Sequence, residues 1–186
     1  MWWIFWVVWA IGVLMVLAYA FVLPFGAPFL PTLKKQNSEA LDLLDLKAGQ
    51  VFVDLGCGDG RLLAIAASRG LNAVGYELNP FLAFYAWLRT RRYGRRVKVK
   101  WANFWRADLS NADGVFVFLI GHFMHRLDKL LSRYSKDRQI KLVSNSFKIP
   151  GKKPLRQKGA LLLYVYTVES ASPARSRRAF NRVYKP

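Results

Sequence analysis

The sequence predicts an α/β fold with a mostly parallel sheet, preceded by one N-terminal transmembrane helix. Three observations predict it. Short apolar runs of strand length alternate with longer segments of helical periodicity from residue 38 onward, the pattern of a parallel sheet covered on both faces. The first of those runs ends in an acidic residue and three alternating glycines that lead directly into a helix. Ahead of all this, no charged residue occurs before Lys34. A chain of 186 residues has room for one compact domain plus an appendage.

Residues 1–23 are read as the membrane anchor. The run from Trp2 to Leu23 is uncharged and apolar, and a spanning helix needs roughly 20 such residues. Trp2, Trp3, Trp6 and Trp9 crowd one end, where amphipathic rings favour the headgroup region. Pro24, Pro28 and Pro31 then stop the helix, so residues 24–37 form a proline-bearing linker. A cleaved signal peptide is the rival reading; Ala18-Tyr19-Ala20 has a cleavage-site spacing, but the basic n-region is missing. A buried core helix is the other, and one apolar on every face suits lipid better than a small domain. Lys34 and Lys35 are the nearest basic residues, which predicts a single-pass protein with its folded domain on the cytoplasmic, or equivalent inner, side.

Residues 38–169 carry the domain. Asn37 or Ser38 can cap a short helix over residues 39–46, and Gly49 ends it. Residues 51–55 read as a buried strand, and residues 61–69 as a helix closed by Gly70. A second strand spans 72–76, and Pro80 opens a helix that reaches Tyr93 before Gly94. In the third strand, 97–101, Lys98 and Lys100 alternate with valines, as on an edge or half-exposed strand. A continuous apolar strand over 115–120, a helix over 123–134 and a strand over 140–144 follow. The polar loop 151–159 precedes a last strand over 160–168, and residues 170–186 form a basic tail expected to be mobile.

A formal net charge of +18 calls for an anionic surface nearby and says nothing of fold. Cys57 is the single cysteine, which excludes an internal disulfide; with only two histidines beside it, a structural zinc site is not expected, and no metal is assigned.

The strongest chemical signal is Asp54-Leu55-Gly56-Cys57-Gly58-Asp59-Gly60-Arg61. Glycines after a buried strand let the backbone turn sharply and approach a ligand where a Cβ would clash. A dinucleotide fingerprint would put its third glycine one position later and receive a pyrophosphate. The acids Asp54 and Asp59 would repel pyrophosphate but suit a cationic, phosphate-free ligand such as S-adenosylmethionine (SAM). Glu77 ends the second strand, close to the ~20-residue spacing expected of a carboxylate that grips ribose hydroxyls. The loop residues Gly56, Cys57, Gly58 and Gly60, together with Asp54, Glu77, Leu78 and Asn79, are therefore the candidate cofactor site. Asn103 could bond the adenine after the third strand, with Phe104 or Trp105 packed on it or simply part of the core.

The glycine motif, with Gly75-Tyr76-Glu77-Leu78-Asn79-Pro80, resembles the small methyltransferases that modify lysines of the mitochondrial adenine nucleotide translocase and the ATP synthase c-subunit, and their prokaryotic relatives. The resemblance implies a hydrophobic N-terminal helix, a proline-bearing segment like Pro28-Phe29-Leu30-Pro31-Thr32, and a Rossmann-like SAM-methyltransferase fold, and it runs to about Val168. It also implies a protein substrate that bears an accessible lysine. Two positions depart from the family pattern: Asn103 stands where the eukaryotic members have aspartate, and Gly121-His122 replaces a proline-containing stretch.

The strand over 115–120 does not end in the Asn- or Asp-Pro-Pro-aromatic motif of methyltransferases that act on base amino groups or glutamine. His122 and His125 stand at that rim instead; His122 is the catalytic candidate, against the plainer reading of a polar residue at a strand–helix junction. The basic stretch 89–100 fits contact with anionic lipid or simple solvation better than RNA, so nucleic acid is disfavoured as a partner. The expected function is thus a membrane-anchored SAM-dependent protein-lysine methyltransferase. The alternatives are a methyltransferase for a lipid or lipophilic small molecule, and a non-catalytic SAM-binding membrane protein.

Overall fold

A computed structural model of the protein describes residues 1–22, 34–136 and 138–167. The elements run α1 (Trp2–Val22), α2 (Lys34–Leu44), β1 (Val51–Leu55), α3 (Arg61–Ser68), β2 (Asn72–Glu77), α4 (Pro80–Thr90), β3 (Val97–Trp101), β4 (Gly114–Val117), α5 (Met124–Tyr134), β5 (Ile140–Asn145), β6 (Arg156–Lys158) and β7 (Leu161–Tyr166). Seven strands form one sheet in the order β3-β2-β1-β4-β5-β7-β6. The first five pair in parallel, and β7 is antiparallel to both β5 and β6. The sheet is mostly parallel, as expected.

Each face has its own core. On one face α2, α3 and α4 bring Ala40, Leu41, Leu44, Leu63, Ala66 and Ala86 onto Phe52, Ala73, Phe116 and Val143. On the other, Met124, Leu127 and Leu131 of α5 meet Val53, Val115, Leu142 and Tyr166. Period-two alternation along β1 divides its side chains between them, Phe52 to the first core and Val53 and Leu55 to the second. Asp54 shares the face of Phe52 at the carboxyl end of the strand.

Several boundaries depart from the sequence reading. Helix α2 starts at Lys34, so Asn37 is a buried interior position instead of a cap. Helix α4 stops at Thr90 and a 3-10 turn continues over residues 91–96, broken by Gly94 at φ 56°. Strand β4 ends at Val117, and a 3-10 turn at Gly121–Phe123 leads into α5. The polar segment 151–159 conceals strand β6, which pairs with β7 across a turn where Gly159 takes φ 58°. All three β6 side chains are exposed, so neither apolar alternation nor burial could announce it. The expected edge character of β3 is observed: Lys98 and Lys100 face solvent, while Val97 and Val99 pack on the α4 side.

The backbone of α1 covers almost all of the expected anchor, and every described side chain on it is exposed. The side chains at 15 and 18–22 are outside the described residues, as are residues 23–33 of the expected linker and residues 168–186 with the basic tail. Among the described residues no helix is long and apolar enough to cross a membrane.

Candidate functional site

The strand order reverses at β1, which lies between β2 and β4. Ligands of such sheets bind beyond the carboxyl ends of the strands at this switch point. Four of the loops there converge: 56–60 after β1, Leu78–Asn79 after β2, 102–103 after β3 and 118–123 after β4.

The glycine loop is held from beneath. Gly56 and Cys57 both donate their N–H to the Tyr76 carbonyl, at 2.9 and 3.0 Å, and Gly60 donates to the Cys57 carbonyl at 2.9 Å. Its three glycines have positive φ: 95° at Gly56, 53° at Gly58 and 74° at Gly60. They differ in what surrounds them. A Cβ on Gly56 would meet nothing within 4 Å, so this glycine opens onto free space above the sheet. A Cβ on Gly60 would come within 2.8 Å of the Ala86 Cβ and 2.9 Å of its Cα. Gly60 thus lets α3 start against α4. Gly60→Val is therefore expected to damage the fold. Overpacking and a left-handed β-branched residue together cost about 3 kcal/mol, a fall in Tm of roughly 6–12 °C by calorimetry.

Cys57 stands between the first two glycines of the loop. Its side chain is buried in the core under the loop, against the space left by Gly75. Burial, and the nearby Asp54 carboxylate, push its thiol well above the ordinary range. It stays a thiol.

Glu77 ends β2 and ties two loops together. Its Oε2 accepts from the Gly58 N–H at 2.9 Å and its Oε1 from the Asn79 N–H at 2.8 Å. Burial raises its pKa, and these backbone hydrogen bonds offset part of the rise. Asn79 caps α4 through Oδ1, which accepts from the N–H groups of Phe81 and Leu82, so its side chain is spent on the helix. Leu78 is half-buried, and its carbonyl accepts from the Trp101 indole at 3.0 Å.

Asp54 is the singular group. It is buried at the end of β1, and desolvation, reinforced by the charges of Glu77 and Asp59, raises its pKa to about 8. Among the described residues its carboxyl has no hydrogen-bond or ion-pair partner. Asp59, read in the sequence as part of the same acidic cradle, is engaged elsewhere. Its Oδ2 lies 2.7 Å from Arg61 and 3.2 Å from Arg89. Burial would raise its pKa, but the Arg61 hydrogen bonds and the Arg89 charge outweigh it and hold the carboxyl below the ordinary range. One carboxylate of the motif is neutralised within the protein. The other is buried with no ion pair among the described residues.

The loop after β3 is anchored through the Tyr76 hydroxyl, which accepts from the Asp108 N–H at 3.3 Å and from Lys100 at 3.2 Å. Asn103 caps the short turn over Phe104–Arg106, its Oδ1 accepting from the Trp105 N–H at 3.0 Å. Its amide nitrogen is thus the end left for an adenine acceptor. Phe104 is buried in the second core, with its ring 4.7 Å from that of Trp105.

At the β4 end, His122 is exposed with its ring 3.9 Å from that of Phe123. Two features here escaped the sequence reading. Ser146, after β5, has φ 71°, a left-handed turn at a residue that gives no glycine signal. That turn sends Phe147 back to Gly121, where a Cβ would lie 3.2 Å from its ring, so the loops after β4 and β5 form one rim. Arg89 was also missed as a partner of the glycine loop, because nothing in the spacing of residues 59 and 89 brings them together.

Comparison with known proteins agrees with this geometry. A family model described as the ANTKMT methyltransferase domain matches residues 54–156. The human lysine N-methyltransferase of the ATP synthase c-subunit is 34% identical over 137 residues, which are 68% of this chain and 58% of the human protein. The match therefore takes in less than two thirds of that relative's length. A protein-lysine N-methyltransferase of Saccharolobus islandicus is 31% identical over 132 residues, covering 68% of this chain and 81% of that protein. Among solved structures, an RNA methyltransferase from Salinibacter ruber in complex with S-adenosyl-L-homocysteine matches with a TM-score of 0.67 and 26% identity, over 78% of this chain and 97% of that one. The family model takes in the glycine loop, Glu77 and the β4 rim, and the chain belongs to the ANTKMT methyltransferase domain family.

Proposed function

We propose that the chain is a membrane-anchored SAM-dependent protein-lysine N-methyltransferase acting on a membrane-associated protein. The observation that carries the cofactor reading is Asp54, a buried carboxyl with no cationic partner among the described residues, next to a glycine loop that opens onto free space at Gly56. A cationic ligand whose own groups can donate to Asp54 and Glu77 fits that pair; a pyrophosphate does not. Asp54, Glu77 and the backbone of Gly56 and Gly58 would hold SAM, with the Asn103 amide toward its adenine. When bound, SAM would supply a methyl group on a sulfonium, ready for displacement by an amine.

The chain's own task is to align that amine and strip its water. An exposed lysine has a pKa near ~10.4 and is not nucleophilic while protonated. The rim of Ile120, Gly121 and Phe147 is largely apolar, and desolvation against it lowers the amine's pKa. The +18 charge of the chain acts in the same direction. His122 stands where it could accept the proton, and the apolar rim makes that service dispensable. Lysine as acceptor is supported by the relatives' names and by the missing Asn- or Asp-Pro-Pro motif after β4.

Anchoring is supported by α1. In the sequence the run from Trp2 to Leu23 carries no charge, and a spanning segment needs roughly 20 such residues. Its exposed tryptophans at one end fit the interface, and Lys34 and Lys35 beyond its other end favour the inner side for the domain. Contact of the domain with anionic lipid belongs to the same reading.

A second reading, RNA methylation, is favoured by the Salinibacter ruber structure and the basic stretch 89–100. One experiment separates the readings. Membranes, cytosol and RNA from cells lacking the protein are incubated with the purified chain and methyl-labelled SAM. Labelled methyl-lysine in a membrane protein is the expected result. Label confined to RNA or to the lipid extract would replace the substrate assignment, and none anywhere would leave a non-catalytic SAM-binding protein.

A further inference from the structure

Helix α4 is built the wrong way round for a helix that faces water. Ala83, Ala86 and Thr90 point inward, while Phe84, Tyr85, Trp87 and Leu88 are 63, 49, 52 and 40% exposed. At 3.6 residues per turn, positions 84, 85 and 88 lie opposite the buried stripe, where a surface helix normally carries its charges. The rings of Phe84 and Trp87 are 5.8 Å apart, so the patch is continuous. Trp101, 69% exposed, adds to it from β3, since residues 97, 99 and 101 share the sheet face that α4 covers.

Charge begins where the apolar stripe ends. Arg91, Arg92, Arg95 and Arg96 are all exposed in the 3-10 turn that continues α4. From Leu78 to Ala107 the sequence contains no acidic residue, so this segment does not neutralise its own arginines. Arg92 instead lies over the Tyr93 ring at 4.9 Å.

We propose that the outer face of α4 with its arginine-rich end is an interfacial surface that lies on an anionic phospholipid bilayer. The proposal rests on the reading that α1 tethers the chain to a membrane. Aromatic side chains favour the headgroup–acyl boundary, and guanidinium groups pair with lipid phosphates, so the two halves of the surface match the two layers of one partner. A second copy of the chain would bring two sets of the same arginines together. A nucleic acid would meet the arginines but leave Phe84 and Leu88 uncovered. The surface also has a consequence for catalysis. Helix α4 begins three residues after Glu77, so a domain lying on this face holds the cofactor cleft at the bilayer surface. A lysine emerging from a membrane protein would meet it there.

The test uses the full chain reconstituted in lipid nanodiscs, with an environment-sensitive fluorophore on Phe84→Cys. A second label on Arg133→Cys, exposed on α5 across the sheet, is the control, and buried Cys57 is checked by labelling the unsubstituted chain. In discs containing phosphatidylglycerol the label at 84 is expected to shift to the blue and be quenched by brominated lipid. Pure phosphatidylcholine discs should give a several-fold weaker signal, and the control label none in either. Arg91→Ser/Arg92→Ser/Arg95→Ser/Arg96→Ser should erase the difference between lipids. Equal access of aqueous iodide to position 84 in both discs would overturn the proposal, as would protection of that label by added RNA alone. If the chain does not enter discs, the anchoring reading fails by itself, and the same label read on phosphatidylglycerol vesicles decides this one.

Discussion

Replacing Gly56 by arginine is expected to abolish SAM binding while leaving a folded domain. At φ 95° any side chain is strained there, but a Cβ would have no protein atom within 4 Å. The fold therefore bears only the backbone strain, about 1–2 kcal/mol, or a fall in Tm of roughly 2–8 °C. The ligand bears the rest. The side chain would project from the loop that faces the end of β1, where Asp54 waits for a partner, and would present a cation to a cationic ligand. Titration calorimetry should show affinity reduced by more than ~100-fold, the loss of at least two charge-assisted contacts. Measured beside Gly60→Val, the two variants should separate: the first loses the ligand and keeps most of its melting temperature, the second loses melting temperature first. If Gly56→Arg binds SAM with unchanged affinity, the cofactor does not lie above this loop.

That separation was invisible in the sequence, where the three glycines form one motif. Spacing shows that the backbone must turn sharply after β1 and enter a helix; it does not show which glycine faces solvent and which faces Ala86 on α4. The same limit explains Asp59. In the sequence it stands with Asp54 as a second acid for a cationic ligand, but the fold brings Arg89 from thirty positions away to join Arg61 on it. Local signals are legible where local physics decides. The strand over Val51–Leu55, the glycine closing α3, the proline opening α4 and the lysine-bearing edge strand are all where period and turn chemistry place them. Features made by tertiary pairing were not legible. Strand β6 exists because β7 offers it an edge, Phe104 is core because the Tyr76 hydroxyl pins its loop inward, and the rim over β4 depends on a left-handed Ser146.

SAM affinity is expected to rise with pH toward a plateau near pH 8, and Asp54→Asn is expected to remove that dependence. In the free domain burial holds the Asp54 carboxyl protonated up to about pH 8. A cation at the site stabilises the ionised form, so binding below that pH must expel a proton. Affinity should then fall up to tenfold per pH unit, roughly a hundredfold between pH 8 and pH 6. Asparagine fills the same space without the charge; at pH 8 it should bind about 10–100-fold more weakly than the natural protein. Titrations common to both proteins, the ligand's own included, cancel in the comparison. Stability gives an independent reading of opposite sign. An unfolded aspartate ionises near ~3.9, so between there and about pH 8 the folded state holds a proton that the unfolded state has lost. The natural protein should therefore lose ligand-free stability from this group as pH rises across that window, and lose no more above it. Asp54→Asn should be the more stable of the two at pH 8 and gain least at pH 4, where both side chains are neutral. Thermal melts at the two pH values, with and without SAM, measure both effects on the same samples. A carboxyl that weakens the empty domain and strengthens the loaded one is being held for its ligand. If the two proteins show parallel pH profiles in both measurements, Asp54 is a structural acid and the ligand's cation is met elsewhere.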